Sequence, residues 1–205
     1  MTVRSFLSLA PVVPVLTIED AEDAVPLARA LLAGGVKVLE VTLRTPAALE
    51  AMARIAGEVP EAVLASGTVL TPADLERSVK AGARLAFSPG LADFMLEPHA
   101  IPMVPGVATA SEVMRGLAAG LDTFKFFPAV PAGGVGALKA IAGPLPAVAF
   151  CPTGGIGQDN AAEFLALPNV LCVGGSWLAP AAAVKAGDWS KIEDLARKAT
   201  VGAQK

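Results

Sequence analysis

The chain has 205 residues, of which 54% are hydrophobic and 17% charged, and its formal net charge is -3. This composition suits one well-buried core, so we expect a single domain over residues 1–205 and exclude an intrinsically disordered chain. The absence of a basic run argues against a nucleic-acid partner, and no uninterrupted apolar run approaches the roughly 18 residues of a membrane span.

Short apolar runs recur along the chain and alternate with amphipathic stretches that open with acidic residues or Thr-Pro and end near glycine, as helices do. The runs predict eight β-strands, at residues 12–17, 38–43, 62–67, 84–89, 101–106, 123–128, 147–153 and 170–175. Eight strand and helix units in a chain of this length predict a compact (β/α)8 TIM barrel of the α/β class. The alternative is an open doubly wound sheet, but no G-x-G-x-x-G sequence follows the first strand.

The second predicted strand has one charged face. Side chains alternate along a strand, which puts Glu40 and Arg44 on one face and Leu39, Val41 and Leu43 on the other. The apolar face suits the helix layer. We therefore expect Glu40 and Arg44 to point into the barrel.

The sixth predicted strand contains the sequence FKFFPAV, in which Lys125 lies among three phenylalanines. The same alternation points Lys125 inward with Phe127. Burying an unpaired ammonium group costs several kcal/mol, and alternate strands of a barrel contribute to the same interior layers, so Lys125 and Glu40 can meet across the axis. The alternative is an ion pair that only stabilises the core, but buried pairs are weak sources of stability.

A lysine and a carboxylate inside an apolar barrel indicate imine chemistry. Desolvation favours the neutral amine, which attacks ketones, and the carboxylate shuttles protons. No cofactor fingerprint is present, so we expect no cofactor. The single histidine, His99, excludes a zinc site with several imidazoles and gives no support for a Ser-His-Asp triad, so we expect no catalytic metal and interpret His99 as a loop residue.

Glycine pairs follow the last two predicted strands, where barrels commonly bind phosphate through backbone N–H groups. Gly154 and Gly155 lie in PTGGI, and Gly174 and Gly175 lie in GGS. Tight turns also use such pairs, but two pairs at this place favour a phosphate site, to which Ser176 adds a hydroxyl donor.

Two features bear on the cellular compartment. The start, MTVRSFLSLAPVVPVL, carries prolines and leads to an acidic helix start instead of a small-residue cleavage site, so we interpret it as mature sequence. Cys151 and Cys172 each lie in an apolar run, where cysteine usually behaves as a small buried hydrophobe. Both features fit a cytoplasmic protein.

Seven motifs, in order and over nearly the whole chain, resemble the 2-keto-3-deoxy-6-phosphogluconate (KDPG) aldolases, also described as 2-keto-4-hydroxyglutarate aldolases. They are LEVTLRT, GTVL, SPG, PGV, FKFFPA, FCPTGGI and LCVGGSWL. The resemblance implies a homotrimer. It also implies that Lys125 forms a Schiff base with pyruvate or the keto acid and that Glu40 is the general acid and base.

The resemblance assigns further roles around the same pocket. It implies that Arg44, Thr68 and Thr153 bind the carboxylate, that Phe127 and Pro89 form pocket walls, and that the glycine turns with Ser176 bind phosphate. One segment departs from the family pattern: residues 91–106 are several residues shorter than usual and leave room for only a short helix.

Three functions are compatible with these patterns. The first is reversible cleavage of KDPG to pyruvate and glyceraldehyde 3-phosphate, and the second is the same chemistry on 4-hydroxy-2-oxoglutarate, which yields pyruvate and glyoxylate. The third is a non-catalytic module that binds phosphosugars. The set of Lys125, Glu40 and Arg44 argues against the third, because a binding module does not need a buried amine.

Overall fold

The computed structural model describes residues 2–201, and within this range the predicted strand pattern is found with one division. The fifth predicted strand forms two short strands, because Pro105 lacks the N–H group that would continue the ladder. The strands are β1 (Val12–Leu16), β2 (Val38–Thr42), β3 (Val63–Gly67), β4 (Leu85–Phe87), β5 (Met103–Val104), β6 (Gly106–Val107), β7 (Thr123–Phe126), β8 (Ala149–Pro152) and β9 (Val173–Gly175).

The strands pair in parallel to form a curled sheet in two parts. The first part has the order β5-β4-β3-β2-β1-β9, and the second has the order β6-β7-β8. Isolated bridges from Phe150 to Val170 and from Thr153 to Gly174 connect β8 towards β9. Neighbours in the sheet are mostly neighbours in the chain, without the reversal of order that defines a doubly wound sheet.

Helices follow most of the strands. They are α1 (Val3–Leu7), α2 (Ala24–Ala33), α3 (Ala48–Glu58), α4 (Pro72–Lys80), α5 (Ala110–Ala118), α6 (Gly134–Ala142), α7 (Ala161–Leu165), α8 (Ala181–Lys185) and α9 (Trp189–Val201), with short 3-10 helices at Ala21–Asp23 and Asp93–Leu96. Thr71 and Thr109 begin α4 and α5 with capping boxes. No helix within residues 2–201 combines the length and apolar character needed to cross a membrane.

The connection between β4 and β5 holds only a short helix, as expected. Its only helical element is the four-residue 3-10 helix Asp93–Leu96. His99 lies in this connection, where a ring nitrogen, Nε2, is 2.7 Å from the carbonyl oxygen of Phe94. His99 is therefore a loop residue, as predicted.

The alternation of side chains divides the core into two layers. Leu39 and Val41 of β2, with Phe124 and Phe126 of β7, pack in the large cluster between strands and helices. A second cluster fills the concave side of the sheet and includes Val13, Val38, Phe87, Cys151 and Cys172. Because the apolar alternate residues of β2 and β7 pack towards the helices, Glu40 and Lys125 lie on the concave side.

The N-terminal helix α1 lies outside the elements predicted from the sequence. Thr2 caps it, since the Thr2 side chain accepts a hydrogen bond from the N–H of Ser5. Phe6 and Leu7 of α1 are buried in the concave-side cluster. The helix therefore covers this cluster at the amino-terminal end of the strands.

Candidate active site

Lys125 and Glu40 meet on the concave side of the sheet, as the alternation of β2 and β7 predicted. Lys125 Nζ donates a hydrogen bond of 2.9 Å to Glu40 Oε1. The side chains are only 7% and 1% exposed, respectively. The other carboxylate oxygen, Glu40 Oε2, is buried and has no hydrogen-bond partner among residues 2–201. An unpaired buried acceptor is costly, so Oε2 is available to bind a donor that enters the site.

Two aromatic rings flank the lysine. The ring centroids of Phe87 and Phe127 lie 5.4 Å and 5.7 Å from Lys125 Nζ. A ring face attracts a cation at these distances, by about 0.5 to 2 kcal/mol. The rings therefore enclose the Lys125 nitrogen and exclude water from it.

Gly67, at the end of β3, makes room for the carboxylate of Glu40. It pairs with Thr42 in the ladder between β2 and β3. A Cβ atom at position 67 would lie 2.9 Å from Glu40 Cγ and 3.0 Å from Cδ, distances that real Cβ atoms hardly tolerate. Sequence reasoning missed this residue, although the SGT motif contains it, because its role depends on contact with a neighbouring strand.

A cavity of about 460 Å³ opens above the lysine at the carboxyl ends of the strands. All twelve predicted site residues line it: Glu40, Arg44, Thr68, Pro89, Lys125, Phe127, Thr153, Gly154, Gly155, Gly174, Gly175 and Ser176. Val15, Thr17, Thr42 and Ile156 also line it and were not predicted. Thr42 shares a strand face with Glu40, which is a signal that could have found it.

Three polar side chains of the cavity wall provide an exposed cation and two hydroxyl groups. Arg44 lies in the turn after β2 and forms no ion pair within the described part of the chain. Thr68 has a φ of 62°, a left-handed conformation that is uncommon outside glycine and is typical of functional sites. Thr153 is buried, and a Cβ atom at Gly174 would lie 3.0 Å from its Cγ2. The glycine therefore leaves space for the threonine.

Another part of the cavity wall is formed by backbone. Gly154 and Gly155 have φ values of 104° and 76°, a region that favours glycine. Within residues 2–201, no acceptor takes the N–H groups of Gly154, Gly155 and Ser176. The Trp177 ring lies over Gly175, where a Cβ atom would be 2.9 Å from Cη2. These turns thus present free donors at the cavity wall, which is the arrangement that binds anions.

Cys151 and Cys172 are buried free thiols, as predicted, and belong to the concave-side cluster below the lysine. The neighbouring Cys151 and then burial raise the pKa of the Cys172 thiol well above its ordinary value. Cys172 therefore stays neutral at neutral pH and packs as an apolar group. In the part of the chain that the structure describes, no cluster of three or more His, Cys, Asp or Glu side chains could hold a metal ion.

The fold and the cavity define a class: an α/β protein with a ligand cavity at the carboxyl ends of its parallel strands. The family model of KDPG and KHG aldolases matches residues 3–195, and the chain belongs to that family. It is therefore an aldolase, a carbon–carbon lyase.

Individual relatives are similar to this chain over almost the full length of both chains. The KHG/KDPG aldolase of Escherichia coli strain K12 is 54% identical over 204 residues, which cover 98% of this chain and 96% of the relative. The crystal structure of KDPG aldolase from Legionella pneumophila, with pyruvate captured as a covalent carbinolamine intermediate, has a TM-score of 0.95 at 48% identity and covers 98% of each chain. The aldolase of Zymomonas mobilis ZM4 with 3-phosphoglycerate has a TM-score of 0.89 at 51% identity and covers 96% of this chain and 93% of that one.

Proposed function

We propose that the chain is a Schiff-base aldolase that reversibly cleaves KDPG to pyruvate and glyceraldehyde 3-phosphate. The observation that carries the proposal is the buried hydrogen bond of 2.9 Å between Lys125 Nζ and Glu40 Oε1. An amine beside a carboxylate, enclosed by Phe87 and Phe127, can form an imine with a keto acid and exchange protons with it. The carbinolamine of pyruvate in the Legionella pneumophila aldolase supports the same route here.

In the proposed reaction, Lys125 Nζ attacks the C2 ketone, and loss of water gives an iminium ion. Glu40 takes the proton of the C4 hydroxyl, the C3–C4 bond breaks, and its electron pair moves into the iminium to give an enamine. Glyceraldehyde 3-phosphate leaves. Glu40 then returns the proton to C3, and water hydrolyses the iminium to release pyruvate and restore the amine. The iminium itself is the electron sink, so the scheme needs no cofactor.

The remaining site residues receive roles according to their place in the cavity. Arg44, Thr68 and Thr153 would bind the pyruvyl carboxylate, and Pro89 and Phe127 would form the walls around the chain of the substrate. The free N–H groups of Gly154, Gly155 and Ser176, with the Ser176 hydroxyl, would bind the phosphate, whereas Gly174 and Gly175, predicted as a turn, belong to β9 and pair with β1. The 3-phosphoglycerate bound to the Zymomonas mobilis aldolase supports a phosphate ligand.

A second substrate is 4-hydroxy-2-oxoglutarate, which the same steps would cleave to pyruvate and glyoxylate. The name of the Escherichia coli relative, KHG/KDPG aldolase, favours this dual activity. Its distal carboxylate would accept hydrogen bonds from the N–H groups that otherwise bind phosphate. Kinetic constants for cleavage of KDPG, its C4 epimer and 4-hydroxy-2-oxoglutarate would rank the three substrates.

The proposal extends to the fold and the assembly. Only Pro105 separates β5 from β6, and isolated bridges connect β8 towards β9, which supports closure of the two sheet parts into one (β/α)8 barrel domain. The family resemblance supports a homotrimer, and the exposed Leu70 and Met114 offer apolar surface for subunit contacts. Light scattering after size-exclusion chromatography would measure the number of subunits.

The two buried thiols support a cytoplasmic location.

Trapping of the imine tests the central proposal. Pyruvate with sodium borohydride should leave a stable adduct on Lys125 and on no other lysine, which peptide mass analysis would locate. Lys125→Ala should abolish the adduct and lower cleavage by more than about 10,000-fold, since the nucleophile is lost. Lys139→Ala, which changes an exposed lysine on α6, is the matched control. An adduct that forms equally well in Lys125→Ala would refute the mechanism.

A further inference from the structure

One strand forms the part of the cavity wall between Glu40 and Ser176. β1 pairs with β2 on one side, where Val15 lies opposite Glu40, and with β9 on the other. Ser176 directly follows β9. Val15 and Thr17 both line the catalytic cavity. Their side chains therefore lie between Glu40 and Ser176.

This part of the wall carries a hydroxyl group towards the mouth of the cavity. Two residues span about 7 Å along a strand, so Thr17 lies that much nearer than Val15 to the carboxyl ends of the sheet. Thr17 is exposed, and its Oγ1 atom lies 3.4 Å from Oγ1 of Thr42. Among the residues that the structure describes, Thr42 is the only hydrogen-bond partner of the Thr17 hydroxyl.

The buried Thr42 fixes the direction of this contact. Its hydroxyl donates a hydrogen bond of 2.9 Å to the carbonyl oxygen of Leu16 and has no second proton to give. Thr42 can therefore only accept from Thr17. A separation of 3.4 Å is long for two hydroxyl oxygens. Thr17 Oγ1 thus keeps its lone pairs, and room to turn, for a hydroxyl group of a ligand.

The proposed reaction brings a hydroxyl group to this part of the wall. KDPG bound as proposed has C2 joined to Lys125, its C4 hydroxyl at Glu40 and its C6 phosphate at Ser176. C5, which carries the remaining hydroxyl group, must then pass between Glu40 and Ser176. The side chains of β1 that face it there are the apolar Val15 and, just beyond the strand, the hydroxyl of Thr17.

We propose that Thr17 is a specificity-determining residue that accepts a hydrogen bond from the C5 hydroxyl of KDPG. This inference rests on the proposed imine mechanism and deepens it. The hydrogen bonds run from the C5 hydroxyl through Thr17 and Thr42 to a backbone carbonyl, and bonds in such a chain polarise one another. In 4-hydroxy-2-oxoglutarate, C5 is the distal carboxylate, which has no proton to donate at neutral pH. Thr17 therefore favours the phosphorylated sugar acid.

Two substitutions at position 17 and two substrates test the proposal. Thr17→Val keeps the shape of the side chain but removes the hydroxyl. Thr17→Ser keeps the hydroxyl and is the matched control. The substrates are KDPG and its 5-deoxy analogue, which lacks only the C5 hydroxyl.

The effect of Thr17→Val should depend on the substrate. It should lower kcat/KM for KDPG about 3- to 10-fold, the usual effect of one lost hydrogen bond between neutral groups. Cleavage of the 5-deoxy analogue should stay within twofold of the native rate, and Thr17→Ser should leave both substrates within twofold. An equal effect of Thr17→Val on both substrates, including no effect on either, would overturn the proposal.

Reactions of pyruvate alone distinguish failure of this inference from failure of the proposed function. Borohydride trapping and methyl-proton exchange involve no C5 atom and should be native in Thr17→Val. If exchange fell together with KDPG cleavage, the substitution would have disturbed the whole site, and the role of Thr17 would be wrong. If the native protein traps pyruvate and cleaves KDPG, and Thr17→Val cleaves KDPG equally well, only the assignment of Thr17 is wrong. If the native protein neither traps nor cleaves, the imine mechanism is wrong.

Discussion

The two ends of the catalytic cavity are built from different parts of the polypeptide. At the inner end, Lys125 and Glu40 project from β-strands and are almost fully buried. At the outer end, turns at Gly154 and Gly155 with positive φ, and the exposed Ser176, offer N–H groups and a hydroxyl. The inner end depends on the identity of side chains, and the outer end depends on backbone conformation. Substitutions at the two ends should therefore fail in different assays.

Glu40→Gln should give the largest effect among the changes that leave the amine in place. The amide keeps the shape of the side chain but cannot accept and return a proton, and a general acid–base group contributes a factor of about 100 to 10,000. Exchange of the methyl protons of pyruvate in deuterated water measures this step alone. Borohydride should still trap the pyruvate imine. Exchange at the native rate would assign the proton transfer to another base.

Gly67→Ala should act on the same step without touching the substrate. The new methyl group would displace the carboxylate of Glu40, and a misplacement of roughly 1 Å can cost about 100-fold. We expect slower pyruvate exchange with retained imine trapping. Gly57→Ala is the matched control, because a Cβ built at that helical position meets nothing within 4 Å beyond its own helix turn. A Gly67→Ala protein that lost trapping and exchange together would point to general misfolding.

Arg44→Ala should damage both the exchange assay and KDPG cleavage. The proposed hydrogen bonds to the pyruvyl carboxylate join two charged groups, and loss of such a bond costs about 1.5 to 3 kcal/mol, or roughly 10- to 150-fold. The comparison of kcat/KM for cleavage with the pyruvate exchange rate measures both. If Arg44→Ala exchanged the methyl protons of pyruvate at the native rate, the carboxylate would have to bind elsewhere in the cavity.

Ser176→Ala should affect only the outer end. Loss of one hydrogen bond to a charged phosphate oxygen should cost about 1 to 2 kcal/mol of transition-state stabilisation. This lowers kcat/KM for KDPG roughly 5- to 30-fold. Methyl-proton exchange in pyruvate should be unchanged, since pyruvate carries no distal group. If exchange fell as much as cleavage did, the assignment of the two ends would be wrong.

Treatment with a chelator should leave the rates of KDPG cleavage and pyruvate proton exchange unchanged. The chain has one histidine, and the proposed iminium supplies the electron sink that a metal would otherwise provide. Cleavage and exchange should be equal before and after dialysis against EDTA. Loss of activity that added zinc restores would contradict the imine as sole electron sink.

The same difference between side chains and backbone explains what the sequence could predict. The alternation of β2 and β7 placed Glu40 and Lys125 correctly, because a period of two follows from strand geometry alone. The role of Gly67 was not predictable in this way, since it depends on how β3 packs beside β2. The division of the fifth strand follows from Pro105, which the sequence contains but whose position in the ladder it does not reveal.

Two further features needed the folded chain. Helix α1 is too short for a clear periodicity, and only its packing reveals that Phe6 and Leu7 belong to the concave-side cluster. Thr17 lines the cavity although its segment reads as an ordinary strand end. In each case the missing information is a contact between residues far apart in the sequence.

In the part of the chain that the structure describes, the apolar cluster beneath the lysine fills the amino-terminal end of the concave side. Below Lys125, the concave side of the sheet is occupied by Val13, Val38, Cys151 and Cys172, and α1 covers it with Phe6. Substrates and products therefore pass the outer end of the cavity, and an entering molecule reaches the lysine last. In synthesis the keto acid must enter before the aldehyde, because an aldehyde bound first would stand in its way. Excess aldehyde should then inhibit the synthetic reaction in competition with pyruvate. The closed end of the sheet thus determines the order in which the two substrates bind.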